Sequence, residues 1–445
     1  MSLLPMERVR DAILQAESVR VRGRVTQVKG VVVEALLPRV AVGTACEIQV
    51  SSGRSIAAEV VGFDGAKALL VPFGEVQGIG EGCAVVPRAQ VASIPVGEAL
   101  LGRVVDAAMQ PLDGQPPPRL PHRQALNTEP PPAMARRRIS RIFVTGIRAI
   151  DGFLTLGEGQ RIGVMAAPGV GKSSLLGMLA RSSEADVIVV GLVGERGREV
   201  REFVERDLGS DGLARSVVVV ATGEKSPLVR VRAAMAATSV AEYFRGQGRR
   251  VLLLVDSLSR VAMAQREIGL AAGEPPATRG YPPSVFALIP RLLERAGNDR
   301  GPGSITALYT VLVDGEDHGD PVVESVRATL DGHIHLSRRL AARAHWPAID
   351  VSTSVSRCMS DVVDASHRRL AERARELLAA YEESADLIEV GAYAPGSNPR
   401  VDAALACLDP LLAFLRQRVE ERTPLPETLA LLERIVAAGT SGGAP

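Results

Sequence analysis

A strand that breaks on glycine and restarts as a helix limits this chain more than any other stretch. Arg161-Ile162-Gly163-Val164-Met165-Ala166 is a run of strand type, Pro168-Gly169-Val170-Gly171 forms a tight loop, and helical spacing begins at Ser173. Backbone N–H groups freed at such a loop and at the helix start converge and attract phosphate oxygens. Lys172 is expected to reach the β- and γ-phosphates, and the Ser173 hydroxyl to ligate Mg²⁺. The pattern G-x-x-x-x-G-K-[ST] has Ala166 in place of its first Gly. The strand–loop–helix context carries the assignment instead.

Other segments supply a sheet for this loop. Val187–Val190, Val217–Val220, Val251–Val255 and Ile305–Tyr309 are nearly continuous apolar runs, separated by helical stretches such as Pro227–Phe244. Strands that are apolar at every position belong between two covering layers. They predict an α/β core, over 95–365, built on a mainly parallel sheet. The loop then lies outside the carboxyl ends of the strands, where such sheets bind ligands.

Before the core, over 19–94, short β-branched runs punctuated by Gly and Pro predict a small closed or sandwiched antiparallel sheet. After it, over 366–445, Leu370, Ala374, Leu377 and Leu378, then Leu408, Leu411, Leu412 and Leu415, recur at helical spacing around a turn at Gly396–Pro399. A helical C-terminal domain with a loose tail from Gly439 is expected. Residues 1–18 place Met6, Val9, Ile13 and Leu14 on one helical face, an amphipathic segment ahead of the barrel. Leu101–Asp106 and the Pro-rich sequence after it read as an extended connector, on which Arg136, Arg137, Arg138 and Arg141 form a solvated basic face.

A formal net charge of +1 and 3% aromatic residues argue against nucleic acid as a partner. The four scattered cysteines, Cys46, Cys83, Cys358 and Cys407, lack metal-ligand spacing and are expected to be reduced, as in the cytoplasm. His333 and His335 alternate on one strand and are read as structural. No apolar stretch reaches the ~18 residues of a membrane span, and no signal-type pattern opens the chain, so any membrane role is expected to be peripheral.

Breaking a nucleoside triphosphate needs a metal, a positioned water and positive charge for the departing phosphate. Asp256 ends the run Val251–Val255 and is placed to hold the Mg²⁺ shell beside Ser173. Glu195, in Gly194-Glu195-Arg196-Gly197-Arg198-Glu199 after another strand, is the candidate for polarising the attacking water. Arg196 would steady nearby charge, and Glu199 would hold a metal-bound water. Arg357 is the candidate arginine finger, a group that a neighbouring subunit can supply.

Longer strings add specificity: Val193–Phe203, Gly212–Val219, Ala264–Ala271, Gly303–Ala307, Leu330–Ile334 and, above all, Gly273-Glu274-Pro275-Pro276-Ala277-Thr278-Arg279-Gly280-Tyr281-Pro282-Pro283-Ser284-Val285-Phe286. From about Arg22 to about Gln417 the chain resembles the type III secretion ATPases, the export ATPases of flagella and injectisomes, which are similar in turn to the catalytic subunits of rotary ATP synthases. The resemblance implies a RecA-like P-loop core, Mg-dependent ATP hydrolysis and a homohexamer with ATP at subunit interfaces. It assigns Pro168, Gly169, Val170, Gly171, Lys172, Ser173 and Ser174 to the nucleotide, Glu195 to catalysis, Asp256 to the second-strand acid and Arg357 to the trans-acting finger. Trp346 stands where relatives usually have a Tyr packing near adenine.

The implied partners are a regulator at the N-terminus, a central stalk protein, chaperone–cargo complexes at the C-terminal helices and the export gate, at the cytoplasmic face of the inner membrane. Three rival readings are a rotary synthase catalytic subunit, a Rho-like RNA helicase and a non-catalytic ring subunit. They are disfavoured by the Gly273–Phe286 string, the low aromatic content and Glu195 respectively. Gly391–Tyr393 and Ser397–Pro399 are flagellar-like, whereas Thr145–Asp151 and Gly157–Arg161 suit injectisomes.

Overall fold

Alternation of apolar and polar residues in the first described segments closes them into a barrel, while the all-apolar runs that follow stack into a covered sheet. The computed structural model describes residues 21–50, 53–88, 92–313 and 319–441; the amphipathic segment expected over 1–18 lies outside them.

Gly23–Lys29, Val32–Leu36, Ala45–Gln49, Ser55–Asp64, Lys67–Pro72 and Ala84–Pro87 form a closed antiparallel barrel, the first strand pairing with both the second and the sixth. Val25, Val33, Ile48, Val60, Leu70 and Val85 fill its interior. Closure leaves no sheet edge free to pair with another chain. This compact unit ends at Ala92 and includes Ile268–Glu274. Ile94, expected near the end of the barrel, instead lies in Ser93–Val96, which pairs with His122–Ala125 in the second unit.

The second unit holds a nine-stranded sheet. Its order is Ile349–Ser356, Gly332–Leu336, Arg161–Ala166, Ser304–Leu312, Arg250–Asp256, Val187–Val193, Ser216–Ala221 and Arg103–Asp106, with Gly297–Asn298 off this path. Neighbours along the path run parallel except at the Ile349–Ser356 edge, which is antiparallel. Val187–Val193 and Ser216–Ala221 are buried at every residue, as strands covered on both faces must be. The helix Pro227–Gly246 covers one face with an alanine-rich stripe that lets it lie close.

Two expectations for the connector are corrected. Arg103–Asp106 is an edge strand of the core sheet, parallel to Ser216–Ala221. Four alternating residues with one neighbour leave little signal in sequence. Arg103 is fixed by a two-pronged bond to Asp113, at 2.7 and 3.0 Å, which holds that carboxyl down to about 2. The basic run is not a solvated face throughout. Arg136 donates to the carbonyls of Ala296 and Glu294, and Arg137 to those of Asp299, Pro302 and Gly303. The guanidinium fork satisfies carbonyls of a turn that leaves the sheet; Arg136 is half-buried there, whereas Arg137, Arg138 and Arg141 stay exposed.

Ala365–Glu389, Pro399–Leu415 and Leu425–Ser441 are the C-terminal helices. Leu377, Leu411, Phe414 and Leu432 share one apolar cluster with Ile150, Phe153 and the core strands, so the helices belong to the second unit. Arg148 ties them further: its guanidinium donates to the carbonyls of Phe414 and Arg416 and pairs with Glu421. The last helix continues to Ser441, past the expected break at Gly439, because Leu432 and Val436 still bury against the cluster.

All four cysteines carry free thiols; burial pushes Cys46 and Cys358 up to about 12. His333 and His335 bond to the Thr353 carbonyl and hydroxyl, and no metal-binding cluster of His, Cys, Asp or Glu occurs among the described residues. Among those residues, too, no helix is long and apolar enough to cross a membrane.

Candidate functional site

The strand Arg161–Ala166 ends the sheet's interior, and Ala167–Gly171 turn over its carboxyl end into the helix Lys172–Ser182. Gly169 and Gly171 have φ of 80° and 83°, values that side chains resist. At Gly171 a Cβ would also lie 2.7 Å from Cζ3 of the Trp346 indole, so this ring packs directly on the loop. The helix start has no side-chain cap, and its first N–H groups are left to an anion.

Two neighbouring strand ends aim carboxylates at this turn, and a third strand adds a hydroxyl. Lys172 Nζ lies 2.5 Å from Asp256 Oδ1 and 3.1 Å from Glu195 Oε1. Asp256 is 3% exposed and accepts a second bond from the Thr310 hydroxyl at 2.6 Å. Burial works against the Lys172 charge, yet the two carboxylates more than offset it, and its pKa lies above the ordinary lysine value.

Glu195 shows the opposite balance. Burial, the Asp256 charge and a hydrogen bond with Glu199 push its carboxyl up to about 7, against the pull of Lys172. The same bond, with Glu195 as donor, holds Glu199 below its usual range. The loop beneath Glu195 is pinned: Gly194 N–H donates to the Ala221 carbonyl at 2.7 Å, and Gly223 N–H to the Glu195 carbonyl at 3.1 Å. Gly194 has φ of 74°, and a Cβ there would meet the Arg260 side chain at 2.8 Å.

Not every candidate joins this cluster. The Arg196 side chain is 87% exposed and makes only a 3.8 Å ion pair to Glu199. Arg357 is exposed at the other end of the sheet. Ile349 registers with Leu336 and that residue with Ala166, whereas Ser356 registers with Gly332. Four residues of strand separate the two levels, about 13 Å. Arg357 therefore cannot reach Lys172 of its own chain.

Trp346 precedes the same edge strand at its loop end and is 40% exposed. With Gly171, Met178, Pro347, Gln417 and Val419 it lines a cavity of about 190 Å³ beside the helix start. Thr310, Arg260 and Gln417 were not among the sequence candidates. Arg260 follows Asp256 by four residues, and its buried Nε lacks a hydrogen-bond partner. Gln417 comes from a chain segment 245 residues after Lys172, with no local signal.

With this geometry in view the comparisons are decisive. Residues 146–356 match the nucleotide-binding domain of the ATP synthase alpha/beta family, 25–88 its beta-barrel domain, and 363–434 the T3SS EscN ATPase C-terminal domain. The flagellum-specific ATP synthase of Pseudomonas aeruginosa is 49% identical, with 94% of each chain covered. The type 3 secretion system ATPase of Sinorhizobium fredii is also 49% identical, over 94% of this chain and 92% of that one.

The chain belongs to the flagellar and type III secretion ATPase family.

This ATPase is similar in structure to the assembled EscN of enteropathogenic E. coli, at TM-score 0.88 and 42% identity, with 93% of this chain and all of that one covered. A second solved structure holds EscN with its central stalk EscO, at TM-score 0.86. Over 363–434 the match is to the C-terminal domain of the T3SS EscN ATPase, which sets the chain with the type III secretion ATPases.

Proposed function

We propose that this chain hydrolyses Mg·ATP within a homohexameric ring that energises type III protein export. One observation carries the reading: a lysine at an uncapped helix start is held by two strand-end carboxylates, while the one candidate finger lies at the opposite end of the same sheet. The first half is a site for a triphosphate. The second half requires a neighbouring copy to complete it.

The residues present fit both nucleotide and metal. Gly169 leaves open space for phosphate oxygens, and the Lys172 ammonium is already desolvated at their approach. Ser173 and Asp256 would hold the metal with waters and phosphates filling its other positions, the manner in which Mg²⁺ usually binds. Mg²⁺ there would spread the charge that develops on the phosphates.

Each remaining residue has a stated task. Lys172 exchanges its carboxylate partners for phosphate oxygens. Freed of Lys172, the Glu195 carboxylate accepts a proton from an attacking water, with Glu199 behind it to orient the carboxyl. Arg357 of one subunit neutralises charge on the phosphate held by the next. The Trp346 indole stacks on the base. Arg196, exposed in the isolated chain, serves only if ring assembly turns it inward.

Partners follow from the same family. A central stalk protein binds the ring, as the solved complex of EscN with its central stalk EscO supports, and a regulator docks at the N-terminal segment. Chaperone–cargo complexes meet the C-terminal helices and are separated there. The ring works on the cytoplasmic face of the inner membrane, beside the export gate.

Glu195→Gln tests the catalytic assignment. Equilibrium binding of Mg·ATP should survive and steady-state phosphate release should fall by about a hundredfold or more. Unchanged turnover removes Glu195 from its role.

A further inference from the structure

We propose that Gln160 is a positioning residue for Arg357, so that a buried amide of one subunit sets the rate of the next subunit's site; this rests on the finger reading given above.

Gln160 is fully buried in the turn that leads into the strand Arg161–Ala166. Its Oε1 accepts the Gly157 N–H at 2.8 Å, and its Nε2 donates to the Asp331 carbonyl at 3.1 Å and to the Ser356 hydroxyl at 3.0 Å. These partners fix the amide's orientation, because a flip would set NH₂ against N–H and oxygen against a carbonyl. Ser356 in turn donates to the Thr155 carbonyl at 2.9 Å. The Asp331 carbonyl that the amide holds also accepts the Arg357 N–H, at 2.9 Å. Arg161 grips the Asp331 carboxylate through its backbone N–H at 3.0 Å and its guanidinium at 3.0 and 3.1 Å. Arg357 thus hangs from a residue that Gln160 and Arg161 secure at main chain and side chain.

Strand pairing alone is short at this point. Ile349–Ser356 is the edge of the sheet, and at its Arg357 end Ser356 and Val355 register with Gly332 and His333 before the ladder skips to Asp350 with His335. The Arg357 guanidinium is exposed and, among the described residues, makes no hydrogen bond or ion pair of its own. Its reach across a seam is therefore set by where its backbone is held. The six residues of Arg161–Ala166 put Gln160 about 20 Å from the phosphate loop of its own chain. A defect at Gln160 is then felt at the neighbour's site rather than its own.

Gln160→Met keeps the length of the side chain and removes both polar atoms. Its kcat should fall by about ten- to a hundredfold, since misplacing a catalytic group by ~1 Å costs up to ~10²-fold, while Mg·ATP binding stays within about twofold. Mixed rings at equal concentration, with co-assembly verified by crosslinking, assign the side of the seam. Gln160→Met with Glu195→Gln should regain turnover, because an intact acid meets a well-placed finger. Gln160→Met with Arg357→Ala should not, because neither protein brings such a finger. Ser356→Ala, which removes the amide's hydroxyl partner without emptying the site, should repeat the pattern with a smaller loss, and it carries the test if Gln160→Met fails to assemble. Wild-type turnover, or recovery with Arg357→Ala in place of Glu195→Gln, overturns the proposal. If the Glu195→Gln and Arg357→Ala mixture itself stays inactive, the shared seam falls and the proposal with it. Recovery there, beside no recovery of Gln160→Met with Glu195→Gln, overturns the proposal alone.

Discussion

Replacing Lys172 with Met should destabilise the protein by an amount that grows with pH. The Lys172, Glu195 and Asp256 side chains are 14%, 15% and 4% exposed, and both contacts to the ammonium are 3.1 Å or shorter. At an effective dielectric of about 20, unit charges ~4 Å apart interact by about 4 kcal/mol, and desolvation cancels much of each attraction. Removing the ammonium also leaves two carboxylates facing one another. Breaking a buried pair in this way costs about 3–5 kcal/mol unless a group changes its charge.

Glu195 is the group that can change. Its folded-state carboxyl already titrates at about 7, above the ordinary value of 4.5. A raised carboxylate favours the folded state at low pH and loses that contribution as pH climbs from the unfolded to the folded value. Without Lys172 the value rises further, so the window widens upward. The expected loss is about 3 kcal/mol near pH 8.5 and about 1 kcal/mol near pH 5.5. For a unit of this size that is about 5 °C and 2 °C in melting temperature, read by differential scanning fluorimetry without nucleotide. A loss that is equal at both pH values, or larger in acid, would refute the charged triad.

Two further outcomes follow from the same site. The Glu195 carboxyl must be ionised to accept a proton, so kcat/KM should fall by about tenfold per pH unit below pH 7, and an acid limb centred near 4.5 would contradict the burial argument. Gly194→Ala places a side chain at φ 74°, against Arg260; it should cost about 1–3 kcal/mol by thermal unfolding and lower turnover without loss of ATP binding, and wild-type turnover would show that the loop tolerates a Cβ.

Sequence and structure agree where each residue answers to its immediate neighbours. The turn at Gly169–Gly171, the acids ending two strands and the all-apolar central strands are local patterns, and each lies where it was expected. Legibility fails where a partner is distant or a strand has one neighbour. Arg103–Asp106 has only Ser216–Ala221 beside it, and Arg136 and Arg137 cap carbonyls some 160 residues away, so neither shows periodicity. The base cavity draws Gln417 and Val419 across the whole second unit. The barrel boundary moved because Ser93–Val96 pairs forward, with His122–Ala125, rather than back.

Mixed rings test the shared seam most directly. Arg357→Ala and Glu195→Gln proteins, each of low turnover alone, are combined at equal concentration, with co-assembly verified by crosslinking. If each site joins the cradle of one subunit to the guanidinium of the next, about a quarter of the seams regain both groups and turnover returns in proportion. Co-assembled mixtures that stay as inactive as their parents, or an Arg357→Ala protein with wild-type turnover, would contradict it.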